Sequence, residues 1–338
     1  MSDPLPTEAE LAAVADLTGR IRTSIATVLS GLDQAISATL ATVLAQGHLL
    51  MEDVPGVGKT TLARAFAASI DCSVGRLQFT PDLLPSDVTG VSIFRAHEHR
   101  FEFRPGPIFA NVVIADEINR ASPKTQAALL ESMQERAVTV DGETRELAAP
   151  FLVVATQNPV EMEGTYPLPE AQRDRFMAQV SVGYPEARAE MAMLDLHDGH
   201  EPLRELTPVA DASELLAAID VARRIYAAPA VKQYIVDLVS ATRTDPALRL
   251  GASPRASLQL LAAAKARAAM AARNHVLPDD VKALAVSVLA HRLIVSTESR
   301  LAGRTAQQIT RDLVSMTAVP TAAKDAPVRR EAAVVRAP

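Results

Sequence analysis

One stretch constrains the fold of this chain more than any other: His48 to Leu62, HLLMEDVPGVGKTTL. An apolar run (His48 to Glu52) predicts a short strand. A turn-prone loop follows, Asp53 to Gly58, and a helix opens at Lys59-Thr60-Thr61. Pro55, Gly56 and Gly58 let the loop bend tightly, so that its N–H groups, with that of Val57, turn toward an anion. The helix N-terminus behind the loop adds partial positive charge, and together they make a phosphate cradle. Lys59 supplies a formal charge for the β- and γ-phosphates, and the Thr60 hydroxyl suits Mg²⁺. Loops of this kind usually open with glycine, and here Asp53 holds that position. The plain alternative is a Gly-Pro turn that happens to precede a lysine.

The rest of the chain supports a globular, intracellular reading. Its 338 residues suffice for one large domain or two ordinary ones, and 48% of them are hydrophobic. A net charge of −6 argues against general nucleic-acid binding. The single cysteine, Cys72, excludes an internal disulfide and a Cys-clustered zinc site, and fits a reducing compartment. The N-terminus lacks the basic and apolar regions of a signal peptide, and no apolar run is long enough to span a bilayer. A cytoplasmic location, away from membranes, is the expectation.

In chain order, residues 1–10 read as a flexible tail. Helical spacing of apolar residues then runs from Leu11 to about Gln46, divided at Gly31. Beyond the phosphate loop, Arg76 to Phe79 predicts a second strand. Val91 to Arg95 and Phe101 to Arg104 alternate around a polar turn, as a hairpin does. NVVIADE (Asn111 to Glu117) and FLVVATQNP (Phe151 to Pro159) are continuous apolar runs, the pattern of strands buried on both faces of a parallel sheet. Between them lie a helix, Lys124 to Arg136, and a second hairpin, Val138 to Glu146, turning at Asp141-Gly142. EAQRDRF (Glu170 to Phe176) reads as a short helix leading into a last strand, MAQVSV. Past residue 185 the patterns are helical: Glu186 to His197, Ser213 to Ala228, Ala230 to Thr244, Pro254 to Arg273, Pro278 to Ser296 and Thr305 to Thr317. The expected architecture is therefore α/β, a parallel sheet sandwiched by helices over 11–185, then a smaller all-α domain over 186–317. Residues 318–338, rich in Pro and Ala, read as a disordered tail.

Ligands in such sheets bind beyond the C-terminal strand ends. Lys59, Asp116, Glu117 and Asn158 each follow a predicted strand, so they should converge at one edge. Triphosphate hydrolysis needs a cradle, a metal, an activated water and positive charge for the transition state. Asp116 would hold Mg²⁺ with Thr60. Glu117 would take the proton of the attacking water, since adjacent strand residues point to different sides. The alternative for this acid pair is a helix N-cap followed by a first-turn acid. Asn158 could orient the water or could simply form the turn before Pro159. In GASPRAS, Ser253 is a good N-cap, Pro254 a good first residue, and Arg255 falls in the first turn. A cation there opposes the helix dipole unless an anion compensates it, and a bound phosphate would do so. Arg173 and Arg175 in the EAQRDRF helix are solvated, paired with Asp174, or an arginine finger for a neighbouring subunit.

These phrases together resemble a known family. EDVPGVGKTTLA, QFTPDLLPSDVTG, RPGPIFANVVIADEINRA, VVATQNP, LPEAQRDRF and GASPRAS look like the MoxR branch of the AAA+ ATPases, over roughly residues 20–300. The resemblance implies a P-loop NTPase sheet with a helical lid. It implies a Walker A motif at Lys59 and Thr60, Walker B at Asp116 and Glu117, sensor 1 at Asn158, an arginine finger at Arg175 and sensor 2 at Arg255. It further implies ATP and Mg²⁺ as ligands, a homo-oligomeric, hexameric ring, and a chaperone-like ATPase that remodels or matures partner proteins, often with a von Willebrand factor A-domain partner. The two hairpins would face the ring's centre. Where the family more often shows an apolar residue, this chain has Arg173, so either arginine is a finger candidate.

Other functions remain to be weighed. A P-loop small-molecule kinase would need neither Glu117 nor a trans arginine, a DNA-acting motor of the same superfamily is disfavoured by the acidic charge, and a non-catalytic nucleotide-binding scaffold finds support in Asp53 alone. His97 and His99 sit in a polar turn without a third ligand, and Cys72 reads as a packed residue rather than a reactive one. Asn119 and Arg120, just after the acid pair, are candidates for contact with a neighbouring subunit.

Overall fold

The structure, a computed structural model, describes residues 4–29, 31–54, 56–158, 165–184, 190–191 and 202–319. Two helices lead the chain, α1 (Glu8–Ala26) and α2 (Asp33–Leu44). Then come β1 (Leu49–Glu52), α3 (Lys59–Ala68), β2 (Ile70–Asp71), β3 (Val74–Gln78), α4 (Pro85–Thr89) and the hairpin β4 (Gly90–Arg95) with β5 (Arg100–Pro105). After β6 (Val112–Asp116) and α5 (Pro123–Glu135) the chain forms a second hairpin, β7 (Ala137–Val140) and β8 (Glu143–Glu146). It continues through β9 (Leu152–Gln157), α6 (Glu170–Arg173) and β10 (Ala178–Val180). The remainder is α7 (Pro202–Glu205), β11 (Ala210–Asp211), α8 (Ala212–Arg224), α9 (Pro229–Thr244), β12 (Leu248–Leu250), α10 (Pro254–Met270), α11 (Pro278–Leu289), β13 (Ile294–Val295), α12 (Thr297–Leu301) and α13 (Ala306–Met316).

Five strands form the central sheet in the order β10-β1-β9-β6-β3, and all four pairings are parallel. Period-two alternation gives β1, β6 and β9 two buried faces, whereas the edge strand β3 buries only one. Leu49, Met51, Val112, Ile114, Leu152 and Val154 pack with α1, α2, α3 and the C-terminal helices. Leu50, Val113, Ala115, Val153 and Ala155 pack on the other side with α5 and Phe79, Phe151 and Phe176. This sandwich explains why β6 and β9 read as unbroken apolar runs. Asp141 and Gly142 turn β7 into β8 with φ of 53° and 80°, the positive pair that a tight two-residue hairpin requires.

Three sequence expectations change. Glu8 to Glu10 belong to α1 rather than a tail, because Thr7 and Glu10 form a reciprocal capping box and Glu10 also pairs with Arg224 on α8. The helix expected to contain Arg175 ends at Arg173, and Arg175 lies in the turn that follows. The C-terminal part is not wholly helical: β12 pairs antiparallel with β13, and β11 adds in parallel to β2. These strands have two or three residues, too few to show a period. The apolar core of that part is continuous with the core under the sheet. α8 and α10 share one apolar cluster with α1, α2 and a face of the sheet, and Arg20 of α1 bonds Glu214 of α8 at 2.6 Å. Pro55, Pro159, the 185 boundary, most of the expected helix 186–197 and residues 320–338 lie outside the described residues.

Candidate active site

β1 delivers the phosphate loop to the C-terminal edge of the sheet. Gly56 and Gly58 take φ of 81° and 93°, a conformation that strains other residues, and α3 starts directly after them at Lys59. Asp53, in place of a glycine, anchors the loop at its base. Its carboxylate accepts from the Ser181 hydroxyl and the Gly183 N–H, both at 2.6 Å, and from the Val54 N–H at 2.8 Å. Burial pushes that carboxyl's pKa up, but these donors and the nearby Lys59 outweigh it and hold it below the usual value. Lys59 lies along the loop, its Nζ donating to the carbonyls of Asp53 and of Gln157, the latter at 3.0 Å.

The acids sit beside this loop because β6 lies two strands from β1, across β9. Asp116 is buried. Its Oδ1 accepts from the Thr60 hydroxyl at 2.8 Å and the Thr156 hydroxyl at 3.4 Å, and its Oδ2 from Arg76 Nε at 3.1 Å. Glu117 adopts a left-handed conformation, φ 57° and ψ 49°, which is uncommon for a side-chain-bearing residue and turns the chain out of the strand. Its N–H donates to Thr156 Oγ1 at 2.9 Å, and its carboxylate accepts from Gln78 at 3.0 Å and Arg120 at 3.1 Å. Asn158 ends the next strand, and its carbonyl accepts from Asn119 Nδ2 at 3.2 Å.

These groups line one cavity of about 730 Å³, roomy enough for a nucleotide. Gly56, Gly58, Lys59, Thr60 and Thr61 form its floor, with Asp116, Glu117 and Asn158 along one side. Val57 is in the same loop but does not line the cavity. Val28 and Leu29 contribute an apolar wall, and Arg64, Arg76 and Arg204 add positive charge. Thr60 and Asp116 present hard oxygen donors side by side, and one carboxylate with one hydroxyl suits Mg²⁺, which takes its other ligands from phosphate and water. No group of three or more His, Cys, Asp or Glu residues that could hold a metal occurs among the described residues, His97 and His99 included.

Two expected residues, Arg175 and Arg255, lie elsewhere, and Arg175 does not line the cavity. Arg255 does not line it either. Its guanidinium is 3.8 Å from Asp174, so a carboxylate of the chain supplies the anion expected for it. Ser253 holds the N-cap position of α10 without a side-chain cap bond; its hydroxyl donates to the same Asp174, at 3.2 Å. Asp174 is paired chiefly with Arg292, at 2.8 Å, and not with Arg173 or Arg175. Arg292 is buried, and its guanidinium also donates to the carbonyls of Phe176 at 2.6 Å and of Met177 at 3.4 Å. Burial lowers its pKa to about 10, against the pull of Asp174. Arg173 is half-buried with its Nε enclosed, and its charge acts on Glu52 and on buried His291. Cys72 is half-buried and its thiol is pushed up to about 11, away from the reactive thiolate.

Sequence reasoning missed Arg76, Gln78 and Thr156. Thr156 and Gln78 stand at or next to strand ends, a signal that was available. Nothing in the sequence marks Arg292.

A family model for the ATPase family associated with various cellular activities (AAA) matches residues 48–178, which hold the loop, the acid pair and Asn158. An AAA lid domain model matches residues 240–313. Chaperone MoxR1 of Mycobacterium tuberculosis is 41% identical over 281 residues, covering 80% of this chain and 74% of that protein. The chain belongs to the MoxR family of AAA+ ATPases. An uncharacterized protein of Bacillus subtilis, YeaC, is 49% identical over 90% of this chain and 95% of its own length. Protein MoxR of Paracoccus denitrificans is 34% identical over 80% of this chain and 86% of its own length. A crystal structure from Cytophaga hutchinsonii, provisionally assigned as an ATPase, matches with a TM-score of 0.84 and 36% identity, covering 93% of this chain and 98% of that one. The MoxR-family sheet and helical lid thus account for nearly the whole described chain. No helix among the described residues is long and apolar enough to cross a membrane.

Proposed function

We propose that this MoxR-family chain hydrolyses Mg²⁺-ATP in a homo-oligomeric ring and uses the cycle to remodel partner proteins. The observation that carries the reading is the 2.8 Å contact between Thr60 and Asp116, beside Lys59 and Glu117 at one sheet edge. Lys59 and the N–H groups of residues 56–61 bind the β- and γ-phosphates. Thr60 and Asp116 hold Mg²⁺, which would neutralise charge on the transferred phosphoryl group. Glu117 accepts a proton from water, and Asn158 orients that water. Val28 and Leu29 suit the flat face of a purine.

Arg175 is the finger that reaches a neighbouring site, and Arg255 senses nucleotide when the lid closes. Support for Arg175 over Arg173 comes from the enclosed Nε of Arg173. The name of the M. tuberculosis relative supports a chaperone role. The exposed Phe94 and Phe101 on the first hairpin offer an apolar contact for a protein client, a von Willebrand factor A-domain protein among the candidates. A lone half-buried cysteine is in keeping with the cytoplasm.

Mixing tests the ring. Arg175→Ala and Lys59→Ala should each be inactive alone, and mixed rings should regain part of the turnover, because an intact finger then meets an intact loop. If the mixture stays inactive while Arg173→Ala with Lys59→Ala recovers, the finger is Arg173. Brisk hydrolysis by a strict monomer would contradict the ring altogether.

A further inference from the structure

Arg76 has no role in the assignment above, yet it touches the site's most buried acid. It projects from β3, the outermost strand of the sheet, which pairs with β6 through Arg76 opposite Ile114 and Gln78 opposite Asp116. Both oxygens of Asp116 are engaged: Oδ1 by the hydroxyls of Thr60 and Thr156, Oδ2 by Arg76 Nε at 3.1 Å. The two sides of this carboxylate differ chemically. A hydroxyl has lone pairs and can turn to share a metal with the carboxylate. A guanidinium has none, and it carries a charge of the same sign as the metal.

We propose that Arg76 competes with magnesium for Asp116, pairing with the carboxylate until the metal displaces the guanidinium into the cavity that Arg76 already lines. The proposal rests on reading this cavity as the magnesium–nucleotide site. Its physical logic is a balance. An unpaired carboxylate as buried as Asp116, 3% exposed, is costly, and Arg76 gives it a counter-charge and a fixed aim at 3.1 Å. The same contact handicaps the metal. Arg76 itself is 56% exposed, so solvent screens the pair and the handicap stays small. A pair screened on its arginine side in this way corresponds to roughly a two- to fivefold change in apparent metal affinity. The site then requires nucleotide-bound metal to compete with its own arginine, which sets a threshold on the free magnesium at which it is filled.

The test measures binding. Affinity for a non-hydrolysable ATP analogue is first determined by calorimetry in EDTA for the wild-type chain, Arg76→Gln and Arg64→Gln. Arg64 lines the same cavity from α3 and is not among the residues bonded to Asp116, so it controls for loss of positive charge alone. Mn²⁺ is then titrated into each analogue-saturated protein, and free Mn²⁺ is counted by electron paramagnetic resonance. Arg76→Gln should bind Mn²⁺ roughly two- to fivefold more tightly than wild type, with a smaller gain for Arg64→Gln. If the analogue binds but Arg76→Gln takes Mn²⁺ no more tightly, or gains no more than Arg64→Gln, the competition is refuted and the nucleotide site stands. If the wild-type chain does not bind the analogue, the nucleotide reading fails and the competition falls with it.

Discussion

Lowering the pH from 7 to 4 should destabilise this protein through one histidine at the entrance to β1. His48 is 6% exposed. Its Nε2 lies 3.0 Å from the Met133 carbonyl, and its Nδ1 is 3.0 Å from the Val153 N–H. A carbonyl only accepts and an N–H only donates, so the partners select the neutral ring with its proton on Nε2. A second proton would place two N–H groups head to head. Burial, aided by the charge of Arg136 and opposed by the Met133 contact, lowers the pKa from 6.5 to about 4. The folded value lies below the unfolded one, so the unfolded chain takes up the proton first. The stabilisation is complete above pH 6.5 and is lost as the pH falls toward 4. At pH 4 the two-state linkage relation gives a loss of about 3 kcal/mol from this group. Urea unfolding of the wild-type chain and His48→Asn, in matched buffers, measures it. Asn keeps an acceptor for the Val153 N–H and does not titrate, and shared groups such as His291 and the carboxylates cancel in the difference. The wild type should lose about 3 kcal/mol more than the variant between pH 7 and pH 4. A difference that stays constant to within about 0.5 kcal/mol would refute the locked neutral ring.

Asp53→Ala removes an acceptor from Ser181, Gly183 and Val54; we expect a stability loss of about 1–3 kcal/mol by urea unfolding and weaker binding of ATP by calorimetry. Wild-type stability and nucleotide affinity in the variant would show that the loop holds its shape without this anchor. Arg292→Met leaves Asp174 short of its main partner and several carbonyls without a donor. The expected cost is about 3–5 kcal/mol, read as a lower denaturation midpoint. An unchanged midpoint would mean that the buried guanidinium contributes no net stability.

The sheet was legible because its central strands β6 and β9 are buried on both faces. Val112 to Asp116 and Leu152 to Thr156 are buried throughout, and a run of that kind followed by turn formers has few structural solutions. Lys59, Thr60, Asp116, Glu117 and Asn158 could be expected at one edge for the same reason, since each follows such a strand, and they line one cavity. What stayed hidden depends on neighbours that chain order does not reveal. Arg76 meets Asp116 because β3 pairs with β6, two strands away from the loop-bearing β1. Arg292 meets Asp174 across 118 positions, and Glu10 meets Arg224 across 214. The N-cap signal at Ser253 was sound, since Ser253 holds the N-cap position of α10, but its side chain turns to donate to Asp174 and accepts no bond from the helix N–H groups.

The central claim is that this edge of the sheet binds Mg²⁺-ATP and that Glu117 is the base that activates water. The most direct test compares wild type with Glu117→Gln, measuring ATP binding by calorimetry and phosphate release in a single turnover. The claim predicts unchanged or tighter binding with release slowed by about 10²–10⁴-fold, the usual contribution of a positioned general base. Release at the wild-type rate from Glu117→Gln would contradict it.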